Sequence, residues 1–239
     1  MADPKLIIGV LGVTLVLVGG LAWWSGVMNA PASLDTIIEE PLPAPLTAEE
    51  LDIMQQEISN PDNPTVTLET NLGAITLELF ADVMPITAGN FATLVADGFY
   101  DGIKFHRVID GFMIQGGDPI TKTDDVARYG TGGPGYAIAD EHITAPHLTN
   151  VRGTIAMANS GPNSGGSQFF INLEDNVALD FDKQPLSSKH PVFGRVIEGM
   201  EVVDAIAAVE TNERDLPIEE VIINKATITG FAAEDVTEE

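Results

Sequence analysis

Between Thr65 and Phe80 the chain reads TVTLETNLGAITLELF, with apolar and polar side chains alternating on either side of Asn71-Leu72-Gly73. Period-two alternation is the repeat of a strand with one buried face, and a turn signal at its centre makes the stretch a β-hairpin. This is where the folded domain begins. The next stretch, MPITAGNFATLVAD (Met84 to Asp97), changes to helical spacing: Phe91, Leu94 and Val95 share a face, and Pro85 suits a first turn. Strands and long Gly-rich loops follow, then a second helix near Gly199 to Val209 and a final strand expected over Ile218 to Gly230. Such a chain is mainly β with two helices, arranged as a barrel or a sandwich.

Composition narrows what the domain can do. The 239 residues are 44 % apolar, enough for a real core, and include no cysteine, which removes disulfides, thiolate metal sites and cysteine nucleophiles. There are 36 acidic against 11 basic residues, a net charge of −25. Between Thr65 and Phe231 the count is 23 acids and 10 bases, so −13 of that charge belongs to the domain. A polyanion repels phosphate backbones, so nucleic acid is not an expected partner. The acidity serves solubility, in the first instance.

Upstream of the domain, Leu6 to Met28 (LIIGVLGVTLVLVGGLAWWSGVM) carries no charge. As a helix it would run about 34 Å, enough for a bilayer core. Trp23 and Trp24 suit a membrane–water boundary. Residues 1–28 therefore read as a single transmembrane anchor, with a cleaved signal peptide ending near APAS (Ala30 to Ser33) as the competing reading. Lys5 precedes the segment and no Lys or Arg follows before Lys104, which places the amino terminus in the cytoplasm and the domain on the non-cytoplasmic side, periplasm or internal lumen, or secreted if the segment is cut. Residues 29–64 form a Pro-rich, acidic linker; within it Thr47-Ala48-Glu49-Glu50 is a capping box for a short helix to about Ile58, ended by NPDNP. Residues 232–239 are an acidic tail.

Most short motifs fail on context. GTGGPG (Gly130 to Gly135) matches G-x-G-x-x-G literally, but Pro134 and the acidic YAIADEH that follows do not open a helix. No G-x-x-x-x-G-K-[ST] or G-x-S-x-G occurs. His106, His142, His147 and His190 are never spaced i, i+4, so no metal or other cofactor is expected. Ser160, Ser164 and Ser167 lie in NSGPNSGGSQ, which reads as turn chemistry.

Two stretches remain: FHRVIDGFMIQGGD (Phe105 to Asp118) and GTIAMANSGPNSGGSQFFI (Gly153 to Ile171). The first carries a lone arginine and glutamine among large apolar residues. In the second, Gln168 and Phe170 alternate to one strand face while Phe169 and Ile171 take the other. Together with GTGGPGY and HPVFGRVIEGM, these segments resemble the cyclophilin family of peptidyl-prolyl cis–trans isomerases in order and spacing, over about Thr65 to Phe231.

The resemblance implies an eight-stranded antiparallel β-barrel closed by two α-helices over residues 65–231, with a proline-binding groove on its outer face. It assigns catalysis to Arg107, a proline pocket to Phe112, Met113, Phe170 and Leu179, and the hold on the substrate backbone to Gln115, Ala158, Asn159 and Gln168. His190 falls at the groove edge. The implied activity is isomerisation of X–Pro bonds in polypeptides, assisting the folding of exported or membrane-associated proteins, by a monomer. A membrane-tethered binder of proline loops with little turnover is the alternative. Where some members carry tryptophan before the matching leucine, this chain has Ala178, so tight cyclosporin binding is not an expectation; FDKQPLSS (Phe181 to Ser188) is also longer than in compact members.

One local signal disagrees with the family. Asp110-Gly111 suggests a two-residue hairpin turn, which would pair Ile109 with Phe112 and Arg107 with Ile114. The resemblance instead groups Arg107 with Met113 and Gln115, which needs a longer or bulged connection.

Overall fold

The computed structural model describes residues 59–143, 148–183 and 189–231. The hairpin that opens the domain forms as the alternation requires. Strands β1 (Thr65–Thr70) and β2 (Gly73–Leu79) pair antiparallel through the two-residue turn Asn71-Leu72, and Val66, Leu68, Ile75, Leu77 and Leu79 are all fully buried. Six further strands follow: β3 (Arg107–Ile109), β4 (Met113–Gly116), β5 (Thr154–Met157), β6 (Phe169–Asn172), β7 (Val192–Glu198) and β8 (Ile223–Thr229). They make one antiparallel sheet in the order β3-β4-β6-β5-β7-β2-β1-β8.

The result is a curled eight-stranded sheet, a half-barrel, rather than eight strands paired in a ring: edge strands β3 and β8 do not pair with each other. Their lead-in segments bridge the gap instead. Phe105 donates its N–H to Val221, Ile223 to Ile103, and Gly102 to Ile223. Strand β8 also begins later than the sequence pattern indicated. The chain at 211–217 is occupied by a local loop closed by the Thr211–Pro217 bridge, and Ile218 is 57 % exposed.

Helix α1 (Pro85–Ala96) has Pro85 in its first turn and packs against β7 and β8; α2 (Met200–Ala207) packs against β2, β3 and β4. Inside the curl, Phe91 of α1 meets Phe169 edge-on at 5.4 Å and Phe193 at 5.2 Å, and Phe169 also meets Phe105 at 6.1 Å. Such tilted and edge-to-face pairs add about 0.5–1.5 kcal/mol each beyond the area they bury. The core therefore takes Phe169, and by strand alternation Phe170 must face outward. Leu6 to Met28, the capping box at Thr47 and the acidic tail lie outside the described residues; within them no helix is long and apolar enough to cross a membrane.

One residue breaks the alternation of β2. Glu78 is 5 % exposed, yet its carboxylate is well supplied with donors. Ser59 Oγ, the Asn60 N–H and Asn63 Nδ2 lie at 2.9–3.1 Å, and Arg195 Nε of β7 lies at 3.0 Å. Burial alone would raise this carboxyl's pKa, but the hydrogen bonds from Asn63, Asn60 and Ser59 and the Arg195 charge together bring it below the ordinary 4.5. Glu78 thus fastens the segment entering the domain to β2 and β7. A carboxyl with a depressed folded pKa stabilises fully above its unfolded pKa, and that contribution fades as pH falls through the folded value. Glu78→Gln should therefore remove part of the stability loss seen on acidification from about pH 5, while Glu78→Ala should cost about 1–3 kcal/mol at pH 7 by stranding its donors. Denaturant titrations of the variants at both pH values check this.

Candidate functional site

The hairpin carrying Arg107 fixes the site. Asp110-Gly111 does form a tight turn: Phe112 donates its N–H to Ile109 at 3.1 Å, and Gly111 has φ 67°, a value the third place of a type II turn reserves for glycine. The ladder, however, pairs Ile109 with Met113, Val108 with Ile114 and Arg107 with Gln115. Phe112 is thus an extra residue on one strand only. The two-residue register is overturned, because Phe112 leaves the ladder and its carbonyl instead accepts from Leu173 N–H at 3.0 Å and Asn176 Nδ2 at 2.8 Å.

Residues directly opposite on antiparallel strands share a face. Gln115 pairs with Phe170 of β6, and Phe170 with Ala156 of β5, so Arg107, Gln115 and Phe170 stand in one cross-sheet row. Ile109, Met113 and Asn172 form the next. The opposite face carries Val108, Ile114, Ile171 and Ile155, all in the core. Arg107 points outward with 44 % of its side chain exposed, whereas Met113 and Phe170 are 2 % and 4 % exposed. A permanently charged group therefore stands beside an apolar floor.

The remaining candidates attach to this face by identifiable links. Gln115 Nε2 donates to Gln168 Oε1 at 3.1 Å. Gln168 Nε2 in turn donates to the carbonyls of Gly130 and Gly132 at 3.1 and 2.8 Å, and the Gln168 carbonyl accepts from Ala158 N–H. Asn159 Nδ2 donates to the Lys189 carbonyl at 2.6 Å. Leu179 ends the helical turn Val177–Leu179, and its carbonyl receives the His190 N–H. The His190 ring meets Phe170 edge-on at 5.3 Å. Asn176, which holds the Phe112 carbonyl, immediately precedes that turn, so Phe112 and Leu179 are tied to the same loop. Gln115, Ala158, Asn159 and Gln168 line an outer groove of about 710 Å³ together with the glycine-rich loop Gly130 to Gly135. Arg107, Phe112, Met113, Phe170, Leu179 and His190 are not among the residues lining that groove, which gathers only the four backbone-holding candidates.

Comparison with known proteins identifies the family. The family described as cyclophilin type peptidyl-prolyl cis-trans isomerase/CLD matches residues 65–228. The chain belongs to the cyclophilin family. An Arabidopsis thaliana peptidyl-prolyl cis-trans isomerase is 46 % identical over 165 residues, covering 69 % of this chain and 95 % of the relative. The human peptidyl-prolyl cis-trans isomerase-like 1 is 43 % identical over 167 residues, covering 70 % and 93 %. Among solved structures, a Cryptosporidium parvum cyclophilin-type isomerase superposes with a TM-score of 0.60 at 33 % identity, covering 70 % of this chain and 98 % of that one. The same protein was also solved in the presence of the dipeptide Ala-Pro, with a TM-score of 0.59. The protein is accordingly a peptidyl-prolyl cis-trans isomerase of the cyclophilin type.

In this cyclophilin the sequence pattern left one supporting residue unassigned. Asp118 is fully buried; its Oδ1 accepts from Ile120 N–H at 2.7 Å and its Oδ2 from Gly130 N–H at 2.5 Å. It therefore anchors the loop whose carbonyls hold Gln168, which orients Gln115 beside Arg107. The signal was present in QGGD followed by Pro119: an Asx residue opening a helical turn (Pro119–Lys122) after a glycine pair. Gly117 has φ 89°, and a Cβ there would stand 2.2 Å from the Ser167 carbonyl oxygen, so the approach of these two segments requires glycine.

The histidines do not assemble. His190 Nδ1 lies 3.1 Å from the Met157 carbonyl oxygen, so that nitrogen carries the proton and donates. Burial lowers the His190 pKa against the opposing effects of that bond and of Asp140, leaving a neutral ring. His142 stacks on Phe181 at 5.1 Å, and His147 lies outside the described residues. Among the described residues no group of three or more His, Cys, Asp or Glu could hold a metal ion.

Asp118→Ala leaves the part-buried N–H groups of Ile120 and Gly130 without their acceptor, for a loss of about 1 kcal/mol. It also frees the loop behind Gln168. Its kcat/KM on a proline peptide should fall several-fold at a temperature where circular dichroism shows the variant folded.

Proposed function

We propose that Arg107 is the catalytic group of this isomerase and that Phe112, Met113, Phe170 and Leu179 hold the substrate proline ring. Gln115, Ala158, Asn159 and Gln168 hold the backbone leading to it, with His190 at the edge. The observation that carries the proposal is the register of β3 on β4, which sets a half-exposed guanidinium in the same outward row as Gln115 and Phe170.

The chemistry needs little more. A peptide bond resists rotation because nitrogen donates its lone pair into the carbonyl, a barrier of about 18–20 kcal/mol. At X–Pro bonds the two planar isomers are close in energy but exchange over tens to hundreds of seconds. Catalysis therefore requires tighter binding of the twisted amide than of either planar form. In the twisted state nitrogen becomes pyramidal and recovers its lone pair. A donor aimed at that lone pair stabilises the transition state and has nothing to bind in the ground states. Arginine suits this role because its charge persists at any working pH and its planar fork can steady the proline carbonyl as well. The apolar floor beneath it raises the value of that contact relative to water. No covalent bond is made or broken, so the scheme calls for no nucleophile.

The substrates are X–Pro segments of polypeptides, a reading supported by the Ala-Pro dipeptide present with the Cryptosporidium relative. For cellular context, the uncharged Leu6 to Met28 and the absence of basic residues from its far side up to Lys104 support a domain tethered to a membrane and facing its non-cytoplasmic side, acting on exported or membrane-associated chains.

Arg107→Ala should lower kcat/KM by at least about tenfold, equivalent to 1.4 kcal/mol of transition-state stabilisation, with an unchanged denaturation midpoint. An unaltered rate in a protease-coupled or NMR exchange assay would defeat the assignment. For the tether, the intact protein should sediment with membranes and resist alkaline extraction. Protease added from the cytoplasmic side should spare residues 65–231; cleavage of the domain from that side, or its recovery in the soluble fraction, rejects the tethered arrangement.

A further inference from the structure

A second cavity, of about 290 Å³, adjoins Arg107 and is lined by His106, Arg107, Gln115, Tyr129, Arg214 and Leu216 among others. Two arginines and a histidine meet there with no carboxylate in the lining, within a domain holding 23 acids and 10 bases. The domain's other arginines do not line this cavity. Arg152 pairs with Asp204 at 2.8 Å, Arg195 with Glu78 at 3.0 Å, and Arg128 with Asp125 at 3.8 Å. Arg214 has no ion pair among the described residues; its Nη2 reaches only the Val126 carbonyl, at 3.4 Å. Arg107 has Asp215 Oδ2 at 3.6 Å, both side chains nearly half exposed, a contact that solvent screens strongly.

The backbone beneath Arg214 is built to stay in place. Asn212 Oδ1 accepts from Arg214 N–H at 2.8 Å and from Leu216 N–H at 3.3 Å, Asn212 N–H donates to Leu216 at 2.9 Å, and Asp215 takes φ 60°. The Asp215 carbonyl then accepts the Val108 N–H, fixing this loop to β3 directly behind Arg107. His106 borders the cavity but is only 7 % exposed, and both of its ring nitrogens are closed off from solvent. Its ring therefore forms a wall of the cavity, and the two arginines are the groups a ligand there would meet.

We infer that this cavity is a specificity subsite for a carboxylate side chain flanking the substrate proline, held by Arg214 and Arg107. The inference rests on the groove assignment made above and adds to it a preference among substrates. It also accounts for an arginine left unpaired where acids outnumber bases more than two to one.

The test uses the full-length protein and peptide pairs identical except for Glu or Gln at each of the two positions before and the two after a single proline. NMR titration reads affinity and cis–trans exchange together. At one position the Glu peptide should bind about three- to fivefold more tightly, the scale of a half-exposed ion pair. That advantage should disappear in Arg214→Gln, largely persist in Arg214→Lys and shrink at about 0.5 M salt. Arg214→Gln should turn over the Gln peptides at the wild-type rate. Equal affinity for Glu and Gln at all four positions, or a Glu preference that survives Arg214→Gln, overturns the subsite. Affinity is read without turnover, so a Glu preference in a protein that catalyses no exchange would count against the role of Arg107 and leave the subsite standing.

Discussion

The pairing of β3 with β4 governs everything on the outer face. Side chains alternate along a strand, so a slip of one residue would exchange the groups facing solvent with those facing the core. With Ile109 opposite Met113, the guanidinium of Arg107 stands outward above a floor completed by Met113 and Phe170. With Ile109 opposite Phe112, Ile114 would be brought to the arginine's side and Gln115 turned into the aromatic core. What prevents this is a single residue, Phe112, whose carbonyl is taken by Leu173 and Asn176 instead of by the ladder. Such bulges bend and re-aim a strand, and they recur beside functional sites.

Around that register the domain uses buried carboxylates as fasteners, each held by two or more donors. Asp118 ties the glycine-rich loop to the end of β4. Asp180 takes the Asn150 N–H and Nδ2 together with the Thr149 hydroxyl, and Asn150 in turn donates to the His190 carbonyl. Hence the two loops that border the groove are each referred back to a buried carboxylate. Low polarity around such networks makes them stiff when complete and costly when one member is lost. Stiffness is useful here, since a catalyst acting by differential binding must hold its donor in place while the substrate does the moving.

Much of this was legible in the sequence, though unevenly. Alternation alone sorted Gln168 and Phe170 from Phe169 and Ile171, and the packing of Phe169 on Phe91 and Phe105 agrees. The hairpin at Asn71-Leu72 and the helix after Met84 followed from local pattern because both are local structures. Two things did not follow. The local turn signal at Asp110-Gly111 identified a turn that exists but not the extra residue after it, since that residue's partners, Leu173 and Asn176, lie about sixty positions away. Likewise, nothing near Glu78 announced that an acid in a strand would be buried; its partners come from residues 59–63 and from Arg195. The family's segment order supplied what local reasoning could not, because it encodes the long-range pairing.

The amide relay from Gln115 through Gln168 to the carbonyls of Gly130 and Gly132 has a consequence for where such a protein can work. Its members hold no exchangeable charge, arginine as a residue type keeps its proton in proteins, and burial favours the uncharged form of the His190 ring. A rotation that transfers no proton, steered by amides and a guanidinium, does not depend on a group poised to titrate near neutrality.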